Sequence, residues 1–301
     1  GSTDINGAVS HNAPCFVAGT KIDVEGGAIK NIEDIQVGEK VLTHNHETGE
    51  NEFKAVEEIL HKDEEQPVVH YHFKDDVRTI VSTYDHPIWI VGKGYASYRP
   101  ELTKKDSGID VELIEEGDKV LLSSNDELEI SLIEEIDGNM QVFNLSKIAD
   151  NNNFFANGLL VHNRWGIFTC FGKGSKVEMF DGTTKAIEEI KVGDEVKTKT
   201  GEKGIVKETL THPVNDMMPV YKYNDAEVEG NHPICIHGRW MAAKDYIDNF
   251  EWKFVNNFYN LEIEGGEHTY IVDGLVASGL GDNKELNEKY QRQPKELINH
   301  L

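Results

Sequence analysis

Three short stretches of the sequence carry side chains that could do covalent chemistry. Cys15 is followed by a Thr-x-x-His stretch, Thr83 to His86, and then by the pair His162 and Asn163. A free thiol can act as a nucleophile, and a histidine can transfer protons near neutral pH. Taken singly, each residue also suits a structural role, because free cysteine is commonly a small buried hydrophobe and histidine usually finds a local hydrogen bond. Only their joint spacing points to chemistry.

Length and charge limit the classes of function. The 301 residues predict about two domains. With 30 Lys and Arg against 54 Asp and Glu, the net charge of −24 would repel nucleic acid and anionic lipid, so we predict neither as a partner. No apolar run approaches the roughly 18 residues that a membrane helix needs. We expect a monomer. Because no secretory signal is visible, we expect a cytoplasmic location, although the sequence does not fix the compartment.

The elements that must position these residues come from a repeat. Residues 19–43 align without a gap on residues 174–198, at an offset of 155, and 11 of the 25 positions are identical. The same offset carries Cys15 onto Cys170. Further along, the stretch DHPIWI is repeated as NHPICI, which contains His232. Two copies of one fold are therefore predicted, the second being shorter.

The residue pattern predicts an all-β fold. Short apolar and β-branched runs such as VVHYHF and PIWIV are separated by turns rich in Gly, Asp and Asn, and Asn157-Gly158 predicts a two-residue hairpin turn. We predict the following organisation: a flanking segment 1–14 that could end an upstream copy, a first domain 15–163, a linker 164–169, a second domain 170–282 and a polar helical tail 283–301.

Four sequence blocks resemble those of the Hint family, the fold shared by inteins, bacterial intein-like domains and the autoprocessing domain of hedgehog proteins. The blocks are CFVAGTKI, IEDIQVGEKVLT, STYDHPIWI and VFNLSKIADNNNFFANGLLVHN, and weaker forms of them recur in the second half. The resemblance implies two tandem Hint domains. Each would be a mostly β horseshoe of two pseudosymmetric halves, with Cys15 and Asn163 brought together at the ends of the first.

The resemblance implies autocatalytic processing in cis, with the flanking polypeptide as substrate and no cofactor. Cys15 would attack the carbonyl of Pro14 in an N-to-S acyl shift. His86 would protonate the departing amine, and Thr83 would hydrogen-bond to the strained amide. Because a proline carbonyl is hindered, we expect slow cleavage before Cys15.

At the other end of the first copy, the resemblance implies a second cut. Asn163 would cyclise through its side-chain amide and cut the chain before Arg164, with His162 assisting the leaving amine. Splicing normally requires Ser, Thr or Cys where Arg164 stands, so cleavage with inefficient splicing is expected. Asn144 stands where the family often has an acidic residue that couples the two steps.

The second copy keeps only part of this pattern. Cys170 and His232 are present, but Glu229 replaces the threonine and Ser278-Gly279 replaces the His-Asn pair. The copy cannot cyclise an asparagine there. It is either able to form a thioester after Thr169 or is a structural copy without activity, and the sequence leaves both open.

Other readings compete with self-processing. A β-rich structural or interaction module of a larger, phage-like protein, with decayed processing, is the main alternative, and a trans-acting cysteine protease is disfavoured because no orienting third residue is evident. His70 and His72 alternate onto one strand face, but no spaced carboxylate or cysteine supplies a third ligand, so we predict no metal site.

Overall fold

The structure is a computed structural model that describes residues 13–163, 165 and 169–280. The chain divides into two compact units, 1–166 and 167–301, and the division falls inside the segment predicted as a linker. The whole predicted helical tail and nearly all of the predicted flanking segment lie outside the described residues. Each unit is described by itself.

The first unit is built almost entirely from strands. They are Phe16–Val17 (β1), Lys21–Val24 (β2), Ala28–Asn31 (β3), Lys40–Asn45 (β4), Glu50–His61 (β5), Gln66–Phe73 (β6), Thr79–Thr83 (β7), Ile88–Ile90 (β8), Gly94–Ser97 (β9), Glu112–Leu113 (β10), Lys119–Leu121 (β11), Glu127–Met140 (β12), Val142–Ile148 (β13), Asn153–Ala156 (β14) and Leu159–His162 (β15). One α-helix, Pro100–Ser107 (α1), and a 3-10 turn at Ile32–Asp34 complete the described part of this unit.

These strands form one continuous sheet. The order is β10-β9-β8-β11-β12-β6-β7-β1-β13-β5-β4-β2-β14-β15, β3 pairs with β2, and β15 returns to pair with β8. Side chains alternate across it as strand geometry requires. In β6, for example, Val69, Tyr71 and Phe73 enter the main core, while Val68 on the other face packs in a smaller cluster with Cys15.

A tight hairpin delivers the last residues of this unit to the sheet. Asn157 and Gly158 connect β14 to β15 with φ values of 49° and 78°, the positive pair that a type I′ turn needs. Val161 then pairs with Ile88, and the N–H of His162 donates to the carbonyl of Pro87 at 3.1 Å. The hairpin therefore places the His-Asn pair beside the strand that follows His86.

The second unit has two described sheets. Its strands are Phe171–Gly172 (β16), Lys176–Glu178 (β17), Thr184–Ala186 (β18), Glu195–Lys197 (β19), Lys203–Tyr223 (β20), Ala226–Glu229 (β21), Pro233–Ile236 (β22), Arg239–Ala242 (β23), Phe250–Glu264 (β24), Thr269–Val272 (β25) and Leu275–Ser278 (β26), with 3-10 turns at Ile187–Glu189, Ala243–Asp245 and Gly266–His268. The orders are β19-β20-β21-β16-β24, with β20 also pairing β24, and β18-β17-β25-β26-β22-β23.

The strand that follows each repeated cysteine sits in the same way in both units. β1 lies between β7 and β13, and β16 lies between β21 and β24, all antiparallel. The repeat of the sequence is thus also a repeat of local strand pairing. None of the helices in the described part of the chain has the length and apolarity to span a bilayer.

Candidate functional site

The peptide bond before Cys15 is held by Thr83. The N–H of Cys15 donates to Thr83 Oγ1 at 2.9 Å, and the N–H of Thr83 donates to the carbonyl of Cys15 at 2.9 Å. The pairing of Phe16 with Ser82 between β1 and β7 produces this contact. Thr83 therefore touches the amide nitrogen that would become the leaving amine in an acyl shift.

The thiol of Cys15 is buried and protonated in the resting structure. Burial raises the pKa of Cys15 to about 12, and the nearby charge of Lys62 lowers it only in part. The Sγ atom donates to the carbonyl of Ala13 at 3.4 Å, which is one residue before the carbonyl of Pro14 that it would attack. The resting thiol therefore hydrogen-bonds close to the bond that it would attack.

His86 begins as a neutral imidazole. Its ring is fully buried against the ring of Phe16, with centroids 4.0 Å apart. Burial lowers the pKa of His86 to about 3, although the main chain of His162 favours the charged form. Because the ring is neutral at rest, it must accept a proton before it can protonate the departing amine as predicted.

A buried asparagine, Asn144, links the closing asparagine to the strand that follows the opening cysteine. Phe16 of β1 pairs with Phe143 of β13, which places Asn144 across from Cys15. The side-chain amide of Asn144 donates from Nδ2 to the main-chain carbonyl of Asn163 at 3.0 Å. That carbonyl belongs to the bond before Arg164, so one buried asparagine joins the two predicted reaction sites.

An aromatic cluster surrounds His162. The ring of Trp165 stacks on the ring of His162, with centroids 3.9 Å apart and an angle of 21° between the planes. The ring of Tyr95 meets the His162 ring edge-on, with centroids 4.9 Å apart. His46 lies 2.9 Å from the hydroxyl of Tyr95 through Nε2. Burial holds the pKa of His162 well below its usual range, and it lowers that of His46 to about 3. Sequence reasoning missed Tyr95, Trp165 and His46, since only the tryptophan two residues after Asn163 offered a local signal.

A small cavity of about 90 Å³ lies beside the N-terminal site. Its lining includes Lys62, Thr83 and Asp85. Burial raises the pKa of Asp85, while a hydrogen bond from Thr83 and the charge of Lys62 oppose that rise. Lys62 and Asp85 are charged groups that sequence reasoning missed, because only the folded sheet brings them toward the thiol.

In the second unit, the bond before Cys170 has a different partner. Asn260 donates from Nδ2 to the carbonyl of Thr169 at 2.7 Å. Its Oδ1 accepts from the hydroxyl of Tyr270 at 2.6 Å and from the N–H of Leu261 at 2.8 Å, which fixes the orientation of the amide. Sequence reasoning missed Asn260, although the YNL stretch aligns it with Asn144.

The thiol of the second unit is also protonated. Burial raises the pKa of Cys170 to about 12, and the carboxylate of Glu229 raises it further. Glu229 accepts hydrogen bonds from the main chain and the side chain of Asn231, whose Oδ1 accepts in turn from Lys244. His232 Nε2 lies 3.0 Å from the carbonyl of Ser278.

The packing of the second unit leaves no room for an asparagine side chain at position 279, where cyclisation would need one. A Cβ atom at Gly279 would lie 2.7 Å from the carbonyl oxygen of Leu261 and 3.0 Å from that of His268. These are main-chain atoms that cannot move aside cheaply. The absence of asparagine at this position is therefore matched by the packing around it.

Among the described residues, one group of side chains could hold a metal. His70, His72 and Glu134 each offer a ligand atom, and these atoms lie within 4.8 Å of one another. The prediction of no metal site depended on a missing third ligand. The sheet supplies that ligand from β12, far from the two histidines in the sequence.

Comparison with known families gives a different match in each unit. The Hint-domain family Vint matches residues 169–294, and the Ataxin-1 and HBP1 module (AXH) matches residues 16–125. No curated protein matches the chain.

Several solved structures of inteins are similar to the chain. A bacterial intein-like domain from Clostridium thermocellum is 29% identical, with a TM-score of 0.40 over 50% of this chain and 98% of that chain. The DnaB intein from Synechocystis is 21% identical, with a TM-score of 0.40, and the match covers 50% of this chain and 99% of the intein. The DnaX mini intein from Spirulina platensis is 22% identical, with a TM-score of 0.39, and the match covers 50% of this chain and 99% of the intein.

The family matches correct the prediction of two tandem Hint domains. The sequence repeat and the shared pairing around Cys15 and Cys170 describe local strand geometry, and local geometry does not fix family membership over a whole domain. The first unit corresponds to AXH over residues 16–125 rather than to a second Hint copy. The chain is all-β, and its second half carries a Hint domain.

Proposed function

We propose that this protein processes its own chain. The first unit would cut before Cys15 and before Arg164, and the Hint domain would form a thioester at Cys170. The observation that carries the proposal is the contact of Asn144 Nδ2 with the carbonyl of Asn163 at 3.0 Å, directly across the sheet from Cys15. A thiol and a terminal amide that are about 150 positions apart in sequence thereby share one buried neighbour.

The first step is an exchange of an amide for a thioester. Cys15 Sγ attacks the carbonyl carbon of Pro14, the bond from that carbon to the nitrogen of Cys15 breaks, and the nitrogen leaves as an amine. The Cys15 thiol first loses its proton to solvent, and neutral His86 then passes a proton from water to the departing nitrogen, which already hydrogen-bonds to Thr83 Oγ1. Atoms and charge balance without a cofactor.

Energetics favour a slow but feasible first step. A pKa of about 12 against the ordinary 9.0 makes the thiolate of Cys15 costlier by about 4 kcal/mol. Attack on the adjacent carbonyl is intramolecular, and such proximity contributes up to about 7 to 11 kcal/mol. Proximity therefore outweighs the burial of the thiol, while the hydrogen bond to the carbonyl of Ala13 must break before the attack.

The second step cuts the chain after Asn163. Its Nδ2 attacks its own carbonyl carbon, a succinimide forms, and the bond to Arg164 breaks with the proton passing through neutral His162 to the leaving nitrogen. Negative charge develops on the carbonyl oxygen, where Asn144 already donates. A buried donor placed in advance stabilises such charge without solvent rearrangement.

The Hint domain would perform only the acyl shift. Asn260 polarises the carbonyl of Thr169 that Cys170 would attack, and Tyr270 prevents the amide from rotating away. The packing around Gly279 excludes the second cut there. The thioester would be resolved by water or an added nucleophile.

A time course of the purified full chain tests the proposal. Intact mass spectrometry with and without added thiol should show fragments that end at Pro14 and Asn163. Cys15→Ala should remove the first cut only, and Asn163→Ala the second only. Identical fragments from all three proteins would contradict self-processing, and full-length mass that persists for days would favour the β-rich structural module instead.

A further inference from the structure

Two histidines and a glutamate from neighbouring strands share one face of the sheet in the first unit. His70 and His72 are two residues apart in β6, so their side chains lie on the same face. In the antiparallel pairing of β6 with β12, Glu134 is the direct partner of His70 and Leu132 that of His72. The three polar side chains therefore converge from two strands.

Their atoms are close enough to share one ion. His72 Nε2 lies 2.6 Å from an oxygen of Glu134, and the two imidazole rings have centroids 4.1 Å apart with a tilt of 36°. His70 Nε2 is a buried atom that has no hydrogen-bond partner within the described residues. A buried imidazole nitrogen without a partner is costly unless something binds it.

We propose that His70, His72 and Glu134 bind a divalent transition-metal ion, with Zn²⁺ as the best-matched ion. Two imidazole nitrogens and one carboxylate oxygen form a common donor set for zinc, and imidazole selects zinc, copper, nickel and cobalt over magnesium and calcium. The ion would replace the proton between His72 and Glu134 and engage the unpartnered nitrogen of His70. A fourth ligand can come from solvent, because the Glu134 side chain is 52% exposed.

A bound ion would cross-link β6 to β12, and β6 packs against Cys15. Val68, two residues before His70 on the same face, pairs with Thr83 and packs in the cluster that contains Cys15. A bound ion would therefore stiffen the strand against which the opening cysteine rests. The binding site itself does not depend on the proposed self-processing.

The test uses Co²⁺ as a spectroscopic probe on the full chain carrying Cys15→Ala, which prevents processing at that position. His72→Gln and Glu134→Gln each remove one ligand, and Glu134 is exposed enough that its variant should fold. Glu135→Gln is the matched control, since Glu135 is the next residue of β12 and pairs with Val69 on the other face. His237→Gln controls for an exposed histidine elsewhere.

We expect one Co²⁺ per chain with a visible ligand-field spectrum, displaced by Zn²⁺, and an increase in melting temperature on binding. Affinity should fall at least about tenfold in His72→Gln and Glu134→Gln, because even indirect partners of metal ligands contribute that much, and should be unchanged in both controls. Absence of binding, equal binding by the ligand variants, or a sulfur-to-cobalt charge-transfer band would overturn the proposal. Circular dichroism without metal verifies that each variant is folded.

Discussion

Removing the side chain of Asn144 should slow the cut before Arg164. Asn144 is fully buried, and its Nδ2 donates to the carbonyl of Asn163 at 3.0 Å. The variant Asn144→Ala removes this donor without adding charge. To isolate the second cut, the variant is made in the Cys15→Ala background.

The contact sets the size of the expected effect. Loss of one donor to a developing oxyanion typically slows a reaction by about 10²- to 10³-fold, or about 2.7 to 4 kcal/mol. The bond of Asn144 to Asn163 already exists before reaction, so part of its energy stabilises the ground state and does not accelerate the step. We therefore expect the lower limit, a decrease of about 100-fold. The variant should also lose about 1–3 kcal/mol of folding stability, because a buried carbonyl loses its partner.

The assay measures the rate at which the fragment beginning at Arg164 appears, well below the melting temperature of the variant. Asn260→Ala is the matched control, since it makes the same truncation at the equivalent position of the Hint domain, where the partner is the carbonyl of Thr169. Its rate at Asn163 should stay within about twofold of the parent. A folded Asn144→Ala protein that cuts at the parental rate would refute the role of this contact.

Three further predictions follow from the same geometry. Thiol-induced cleavage before Cys15 should accelerate about tenfold per pH unit between about pH 7 and 9, because the pKa of Cys15 is raised to about 12. Asn260→Ala should lower hydroxylamine-trapped thioester at Cys170 by about 10²-fold. Acid should destabilise the first unit, because the pKa of His46 and that of His86 each fall from 6.5 to about 3 on folding. The stabilisation is fully present above pH 6.5, and below that pH each histidine lowers the free energy of unfolding by up to about 1.4 kcal/mol per pH unit.

Each of these has a matched control. A pH-independent rate before Cys15 would show that the thiolate population does not limit the step, and Cys15→Ala should give no product at any pH. Unchanged trapping in Asn260→Ala would remove the asparagine from the reaction. The free energy of unfolding in urea should differ less between about pH 7 and about pH 5 in His46→Gln than in the parent. Equal differences in the two proteins would argue against burial of His46 as a neutral ring.

Local pattern was enough to predict strands and one hairpin turn. The Asn157-Gly158 pair adopts the two positive φ values expected of its hairpin, and the alternation in VVHYHF matches the burial of β6. Such features depend on neighbouring residues alone, which is why a single sequence reveals them.

Contacts that depend on strand register were not predictable. Glu134 reaches His70 only because β12 pairs with β6 in one particular register, and the sequence separation of more than 60 residues gives no hint of it. The equivalent asparagines Asn144 and Asn260 contact different carbonyls, those of Asn163 and Thr169, although they stand at the same position of the sequence repeat. The neutral state of His86 likewise follows from burial.

The mass of the fragment that ends at Asn163 tests self-scission most directly. Cyclisation by the side-chain amide leaves a C-terminal succinimide, which is one water lighter than the same fragment made by hydrolysis. We predict the lighter fragment at early times, with conversion to the heavier one as the succinimide opens, and no such fragment from Asn163→Ala. A fragment that carries the extra water from the start, or that persists in Asn163→Ala, would contradict the account.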